Sequence, residues 1–198
     1  MSDLLLHVRD HISLSVAALA VALAVGIPLG VAIASIPSLR NVSLAAIYVA
    51  RVVPSLAVLA IMLPLVGIGF LPSLVALTLL AIPPIALGTE LGLAGVPEAV
   101  RDAARGLGMT EREVRRRIDW PLAFPVVFGG IRTAAVEVVA SATLAAFIGG
   151  GGLGEYIING IEANDRAETL EGAIAVGVLA LAVQGALGLV ERRLEATR

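Results

Sequence analysis

The stretch Pro97–Pro121, PEAVRDAARGLGMTEREVRRRIDWP, decides how this chain reads. It is the only long polar segment in a sequence of 198 residues that is 58% hydrophobic and 15% charged. An ordinary soluble domain carries roughly 25% charged residues. Pro97 suits the first position of a helix, where no amide hydrogen is needed, and Glu98 and Asp102 then lie toward the positive end of that helix's dipole. Ala99, Ala103 and Ala104 give it a small-residue surface, and Gly106 to Gly108 stop it. Thr110 with Glu113 predicts a capping box that opens a second helix. Glu111–Arg115 and Glu113–Arg117 are spaced as i,i+4 ion pairs. Trp120-Pro121 predicts the end of that helix at a membrane interface. The expected unit is a helix–glycine turn–helix. From the residues alone it is open whether this is a solvated loop or a docking surface that another protein approaches closely.

Working outward, the flanking sequence is built of apolar runs long enough to cross a bilayer. Ile12 to Ile36 is 25 residues without a charge, with a bend expected at Pro28, and 37–41 is expected to be a short turn. The 38 uncharged residues between Arg51 and Glu90 are too many for one crossing, and the break belongs at Gly67 to Pro72. The predicted spans are 12–36, 43–66, 71–94 (kinked at Pro83-Pro84), 125–148 and 172–190, with the polar loop at 95–121. The fold class is therefore all-α integral membrane, with about five transmembrane helices in one transmembrane domain over 1–198.

Arginine placement sets the expected orientation. Arg40, six arginines of the central loop, and Arg192, Arg193 and Arg198 fall on one side, against Arg9 and Arg166 on the other: ten to two. The loop and C-terminus are thus expected in the cytoplasm, with the N-terminus and an acidic 155–171 loop outside. All 14 basic residues are arginine. Without lysine the chain has no Walker A phosphate loop, whose lysine reaches the phosphates. There is no cysteine, hence no thiolate metal site. The six arginines of 90–119 are balanced by six carboxylates, so the segment is not a nucleic-acid patch.

Asp102-Ala103-Ala104, three residues, Gly108, nine residues, Ile118, one residue, Trp120-Pro121 resembles the EAA signature of ATP-binding-cassette importer permeases, which reads Glu-Ala-Ala, three residues, Gly, nine residues, Ile, one residue, Leu-Pro. Further stretches resemble the osmoprotectant branch of that family: Arg51 to Ala57, Leu63 to Pro72, Gly130 to Ala134, Ala142 to Gly149 and Gly151 to Gly154. Gly88-Thr89-Glu90 departs from the Arg-Asn-Thr expected in that branch, and a change in loop docking is the expected consequence.

The resemblance implies a type I importer fold in a bacterial plasma membrane, with a cytoplasmic coupling loop. It also implies a second permease subunit (the same or different), an extracytoplasmic substrate-binding protein and a separate ATPase, which alone binds ATP and magnesium. The implied cargo is a quaternary amine such as glycine betaine, choline, carnitine or proline betaine. Another betaine-like or amino-acid-like solute such as ergothioneine is the alternative, and an ion-coupled carrier is a further one. The residues expected to meet the ATPase are Glu98, Asp102, Ala103, Ala104, Gly108, Ile118 and Pro121.

Arg51, Arg132 and Glu137 are the ionisable groups placed within the spans, where such residues tend to face a bundle interior or water. Glu137 either lines a pathway, where it would attract a quaternary ammonium, or pairs with Arg51 or Arg132. Arg132 reads as an interface anchor. Arg51, Pro54, Ser55, Glu137, Thr143 and Phe147 are the expected pathway or gate residues, although Ser141 and Thr143 also fit simple interhelical hydrogen bonding. Gly149, Gly151 and Gly154 match a dinucleotide-loop spacing, but no strand precedes them. His7 and His11 share a helix face without a third metal ligand. Seven scattered aromatics are too few for an ammonium cage, which places high-affinity recognition in a partner.

Overall fold

The computed structural model describes residues 2–53 and 55–196, with the side chains of 2, 37–42, 51 and 194–196 left aside. Pro54 lies outside the described residues, as does the side chain of Arg51. The described chain is helical from end to end: α1 (Ser2–Ser35), α2 (Pro37–Val52), α3 (Ser55–Val66), α4 (Phe70–Ala94), α5 (Glu98–Gly106), α6 (Glu111–Val114), a π-turn (Arg115–Asp119), α7 (Trp120–Ala142), a 3-10 segment (Leu144–Ile148), α8 (Leu153–Glu162) and α9 (Arg166–Ala196). α1, α4, α7 and α9 are each long and apolar enough to cross a membrane, and α2 with α3 supplies a fifth crossing if the bent pair is one span.

α4 is the axis. Its apolar window is 61% buried within the chain, whereas that of α9 is 0% buried. Leu14, Ala18 and Ala22 of α1, Ala76, Leu77, Ala81 and Ile85 of α4, and Ala134, Val138 and Ala142 of α7 form the main core with Leu59 of α3. Small residues let these helices approach, because between spans the driving force is close packing rather than water exclusion. A Cβ on Gly88 would sit 2.8 Å from the Gly130 Cα, and one on Gly130 would sit 2.6 Å from the Pro84 carbonyl oxygen. Gly30 of α1 is as tight: its Cβ would lie 2.5 Å from Thr89 Cβ. Gly88-Thr89-Glu90 therefore belongs to the helix crossing rather than to the loop, and its departure from the expected tripeptide bears on packing.

Several helix boundaries differ from the expected spans. α1 begins at Ser2, ten residues before the uncharged run starts at Ile12, because Asp3 in the first turn and the periodic Leu5, Leu6, His7 and His11 continue the helix. The expected turn at 37–41 is the start of α2, with Pro37 in the first helical position. The expected single helix over 43–66 is broken: α2 and α3 meet at a 93° bend. Val53, which precedes a proline, is extended (φ −66°, ψ 122°), as that position favours. α4 continues through Pro83 and Pro84.

At the fourth span, Trp120-Pro121 does not end the helix; Glu111 to Ala142 is one continuous 32-residue rod. Proline removes a donor and its ring crowds the carbonyl four residues back. The π-turn absorbs this by shifting to i→i−5 pairing, with the Trp120 amide bonded to Arg115 O. The α-helix then stops at Ala142, not at 148, and the last turn tightens to 3-10 before Gly149 reverses the chain at φ +73°. The acidic 155–171 stretch is largely helical, divided between α8 and the first turns of α9.

Candidate functional site

At one pole, the ends of α1, α4 and α7 converge on the polar loop. Val31, Ala34 and Ser35 of α1, Leu93 and Ala94 of α4, and Arg101, Arg115, Asp119 and Trp120 line a cleft of about 170 Å³. At the other pole, Tyr156 of α8 lies against His7 of α1, with ring centroids 5.6 Å apart. There the Gly69 amide donates to Ile148 O (2.7 Å), tying the start of α4 to the 3-10 segment.

The loop has the helix–turn–helix form expected of it. Pro97 is the residue before α5 rather than its first member. α5 closes in a Schellman motif: the Met109 amide bonds Ala104 O (3.2 Å), the Gly108 amide bonds Arg105 O (2.9 Å), and Gly108 takes φ +86°. The capping box is present, with the Thr110 amide donating to Glu113 Oε2 (3.0 Å) and the Glu113 amide to Thr110 Oγ1 (3.4 Å).

In the two expected i,i+4 pairs, Arg115 and Arg117 attract Glu111 and Glu113 through charge, but the direct hydrogen bonds of both carboxylates go elsewhere. Glu111 accepts from Arg105 Nε at 2.8 Å, and Glu113 is committed to Thr110. Arg105 also reaches Glu98 (2.7 Å) and Asp102 (2.9 Å), so it gathers three carboxylates from both arms of the loop. Hydrogen bonds from Arg105 first, then Arg101, hold the Glu98 carboxyl below its ordinary range. The Arg105 guanidinium is held protonated mainly by Glu111.

Of the residues expected to meet an ATPase, Glu98, Asp102, Ala103 and Gly108 are exposed on the loop, as is Leu107 at 85%. Ala104 is buried and serves the Schellman turn instead. Ile118 packs under the loop beside Leu93, Val96 and Ala123. Pro121 is exposed on the first turn of α7.

Within the spans, Ser55 and Glu137 come together. With Ala50, Val53, Leu80 and Ser141 they line a cavity of about 160 Å³ between α2, α3, α4 and α7. None of the lining residues is aromatic. Arg132 is turned toward α9, where its Nε donates to Gln184 (3.1 Å) and its Nη1 pairs with Glu191; it is a half-buried cross-link between α7 and α9. Thr143 sits at the switch from α to 3-10 geometry with its hydroxyl buried and without a hydrogen-bond partner among the described residues, so it does not make the interhelical bond considered for it. Its carbonyl lies where a Gly154 Cβ would be 2.0 Å away. Phe147 is 66% exposed on the 3-10 segment.

Three residues take places in the structure that no local pattern signalled. Glu90 is completely buried on α4; it falls inside the expected 71–94 span and is an in-span carboxylate alongside Glu137. His11, also completely buried, bonds Val139 O through Nε2 at 2.9 Å, a pairing across 128 residues that no local pattern carries. Arg101 is the third, and its contacts are described below.

Comparison with known proteins gives the class, the membrane component of a binding-protein-dependent transport system. The chain is 39% identical over 97% of its length, and 88% of the relative's, to the carnitine transport permease protein OpuCB of Listeria monocytogenes. It is 36% identical, with the same coverage of both chains, to the choline transport system permease protein OpuBB of Bacillus subtilis. Its fold matches a chain of the MetNI methionine ABC transporter in an inward-facing conformation, with TM-score 0.83 over 96% of this chain and 95% of that one, at 22% identity. This chain belongs to the family of binding-protein-dependent transport system inner membrane components, which matches it over residues 26–196.

Proposed function

We propose that this chain is the permease subunit of an ATP-driven importer of quaternary-amine osmoprotectants, one half of a pathway completed by a second permease. The observation that carries the cargo class is the likeness, over 97% of the chain, to permeases named for carnitine and for choline transport. The exposed face of the 95–121 loop, with Glu98, Asp102, Ala103 and Gly108, docks a separate ATPase that binds ATP and magnesium, while Ile118 and Pro121 support that face from the root of α7. An extracytoplasmic binding protein delivers the solute. The cavity of Ser55, Glu137 and Ser141 belongs to the pathway wall, with Arg51 and Pro54 assigned to the same wall from the sequence. Thr143 and Phe147 stand at its outer gate, where the helix gives way to 3-10 geometry. The lack of an aromatic in the cavity supports a pathway that passes ammonium groups along and leaves tight capture to the binding protein.

The test is reconstitution. The permease with its ATPase and binding protein, in liposomes loaded with ATP, is expected to accumulate radiolabelled carnitine, choline or glycine betaine, and to continue when ion gradients are collapsed. Uptake that needs an ion gradient and no ATPase would point instead to an ion-coupled carrier. Uptake of ergothioneine in preference to the smaller betaines would keep the machine and change the cargo.

A further inference from the structure

Arg101 uses one planar guanidinium to join three elements. Its Nε donates to Asp119 Oδ1 at 2.8 Å, its Nη1 to Glu98 Oε2 at 3.0 Å and its Nη2 to the Leu93 carbonyl oxygen at 2.8 Å. Leu93 lies in the last turn of α4, Glu98 in the first turn of α5, and Asp119 immediately before Trp120 at the root of α7. The Arg101 and Asp119 side chains are only 21% and 16% exposed, so water screens this pair less than it screens the Arg105 cluster on the loop surface. Lysine could not reproduce the arrangement, because a point charge on a flexible stem lacks the fixed fork that aims three donors in three directions.

α5 is only nine residues long and joins α4 through the three-residue connection Gly95-Val96-Pro97. Its other end, the Gly108 turn, is held closed by its own hydrogen bonds and by Arg105 to Glu111, so α5 and α6 form one small unit that can pivot on the connection to α4. We propose that Arg101 is the strut that makes a displacement of the coupling loop move the ends of α4 and α7 together. α4 and α7 are themselves fused at the Gly88–Gly130 crossing, so a push on the loop reaches the cavity-lining residues Leu80 and Glu137 through two helices acting as one body. Without the strut, that unit would swing on its connection to α4 and absorb the motion. Arg101 is a positioning residue: it acts through the two helices.

This inference rests on the reading that the loop docks an ATPase, and the experiment separates the two. The complete importer carrying Arg101→Lys or Asp119→Asn is purified and reconstituted, and three quantities are read: ATPase subunits bound per permease, ATP hydrolysed, and solute imported per ATP. Each variant is expected to keep its ATPase and to hydrolyse ATP, while import per ATP falls about tenfold, the size set by losing one charge-assisted hydrogen bond from the strut. Asp119→Asn keeps the shape of the side chain and carries the test if Arg101→Lys does not assemble. Unchanged import per ATP in both variants overturns the strut. Loss of the bound ATPase in both also overturns it, because Arg101 would then shape the docking face. A wild-type complex that holds no ATPase is a failure of the docking reading itself.

Discussion

Gly108 and Gly130 are both glycines the chain cannot easily exchange, for opposite reasons. Gly108 has open space where a Cβ would stand but needs φ +86°, so substitution there costs backbone strain, about 1–2 kcal/mol for an L-residue. Gly108→Val is therefore expected to leave the protein folded in the membrane and to weaken retention of the ATPase, read as the subunit ratio after affinity purification. Gly130 lies within a regular helix and is fixed by contact with Pro84 O and the Gly88 Cα. Gly130→Leu is expected to remove folded protein altogether, read as the loss of a monodisperse peak in detergent. The first glycine was legible in the sequence, because its place after Asp102-Ala103-Ala104 is a local spacing. The second was legible only as part of a similar stretch, because the partner it touches is 42 residues away. Glu137 stands between these cases. Ser141, one turn further along α7, was a local neighbour in the sequence, but Ser55, across the cavity on α3, was not. Glu137→Gln is expected to slow uptake several-fold while solute-stimulated ATP hydrolysis continues, and equal uptake would remove it from the pathway wall.

Among the elements, the loop was the most legible and its ion pairs the least. Capping boxes and glycine stops are short-range devices, so Thr110, Glu113 and Gly108 announce themselves. Arg105 adds Glu111 from across the glycine turn to Glu98 and Asp102 of its own helix, a contact that exists only once the two arms fold back. The consequence can be read against pH. Hydrogen bonds from Arg105 and then Arg101 hold the folded Glu98 carboxyl below the ordinary glutamate value of 4.5. Its contribution to the loop is therefore full above that value and is lost as pH falls through the lower folded one. Amide exchange over residues 98–106, corrected for intrinsic rates, is expected to be constant from neutral pH to about 5 and to accelerate below about 4. Protection that declines already between pH 7 and 6 would show that another group holds the loop. The fourth span also departs from its local reading. Pro121 reads locally as a stop, yet the helix from Glu111 to Ala142 continues because a π-turn takes up the missing donor, with the Trp120 amide bonded to Arg115 O.

At the scale of the whole molecule, two poles are built: the loop with the ends of α1, α4 and α7, and α8 with the start of α1. The excess of arginines at the first pole is the ground for expecting it on the cytoplasmic side by the positive-inside rule, and that expectation can be tested. The chain has no cysteine, so single cysteines report cleanly on sidedness. Leu107→Cys, on an 85% exposed residue, is expected to react with an impermeant maleimide only in inside-out vesicles. Ile161→Cys, on a 62% exposed residue of α8, is expected to react only in intact cells stripped of their outer layers. The reverse pattern would invert the topology and with it the docking role of the loop. The lipid-exposed α9 and the exposed flanks of α2 and α3 are the surfaces left for lipid and for the second permease proposed above.

Hydrophobicity, charge-free length and short polar spacings are properties of neighbours along the chain. They sufficed for the all-helical membrane class, for the polar loop and its caps, and, through the resemblance its spacing carries, for the family to which the chain belongs. Everything that depends on which helix lies against which was decided only by the tertiary structure. The glycine-tight α4–α7 crossing, the burial of Glu90 and His11, the gathering of Ser55 with Glu137, and the grip of Arg101 on Leu93, Glu98 and Asp119 all arise from contacts between distant residues. Such contacts carry no local signal, because close packing in a bilayer is set by the shapes of facing surfaces and not by their polarity.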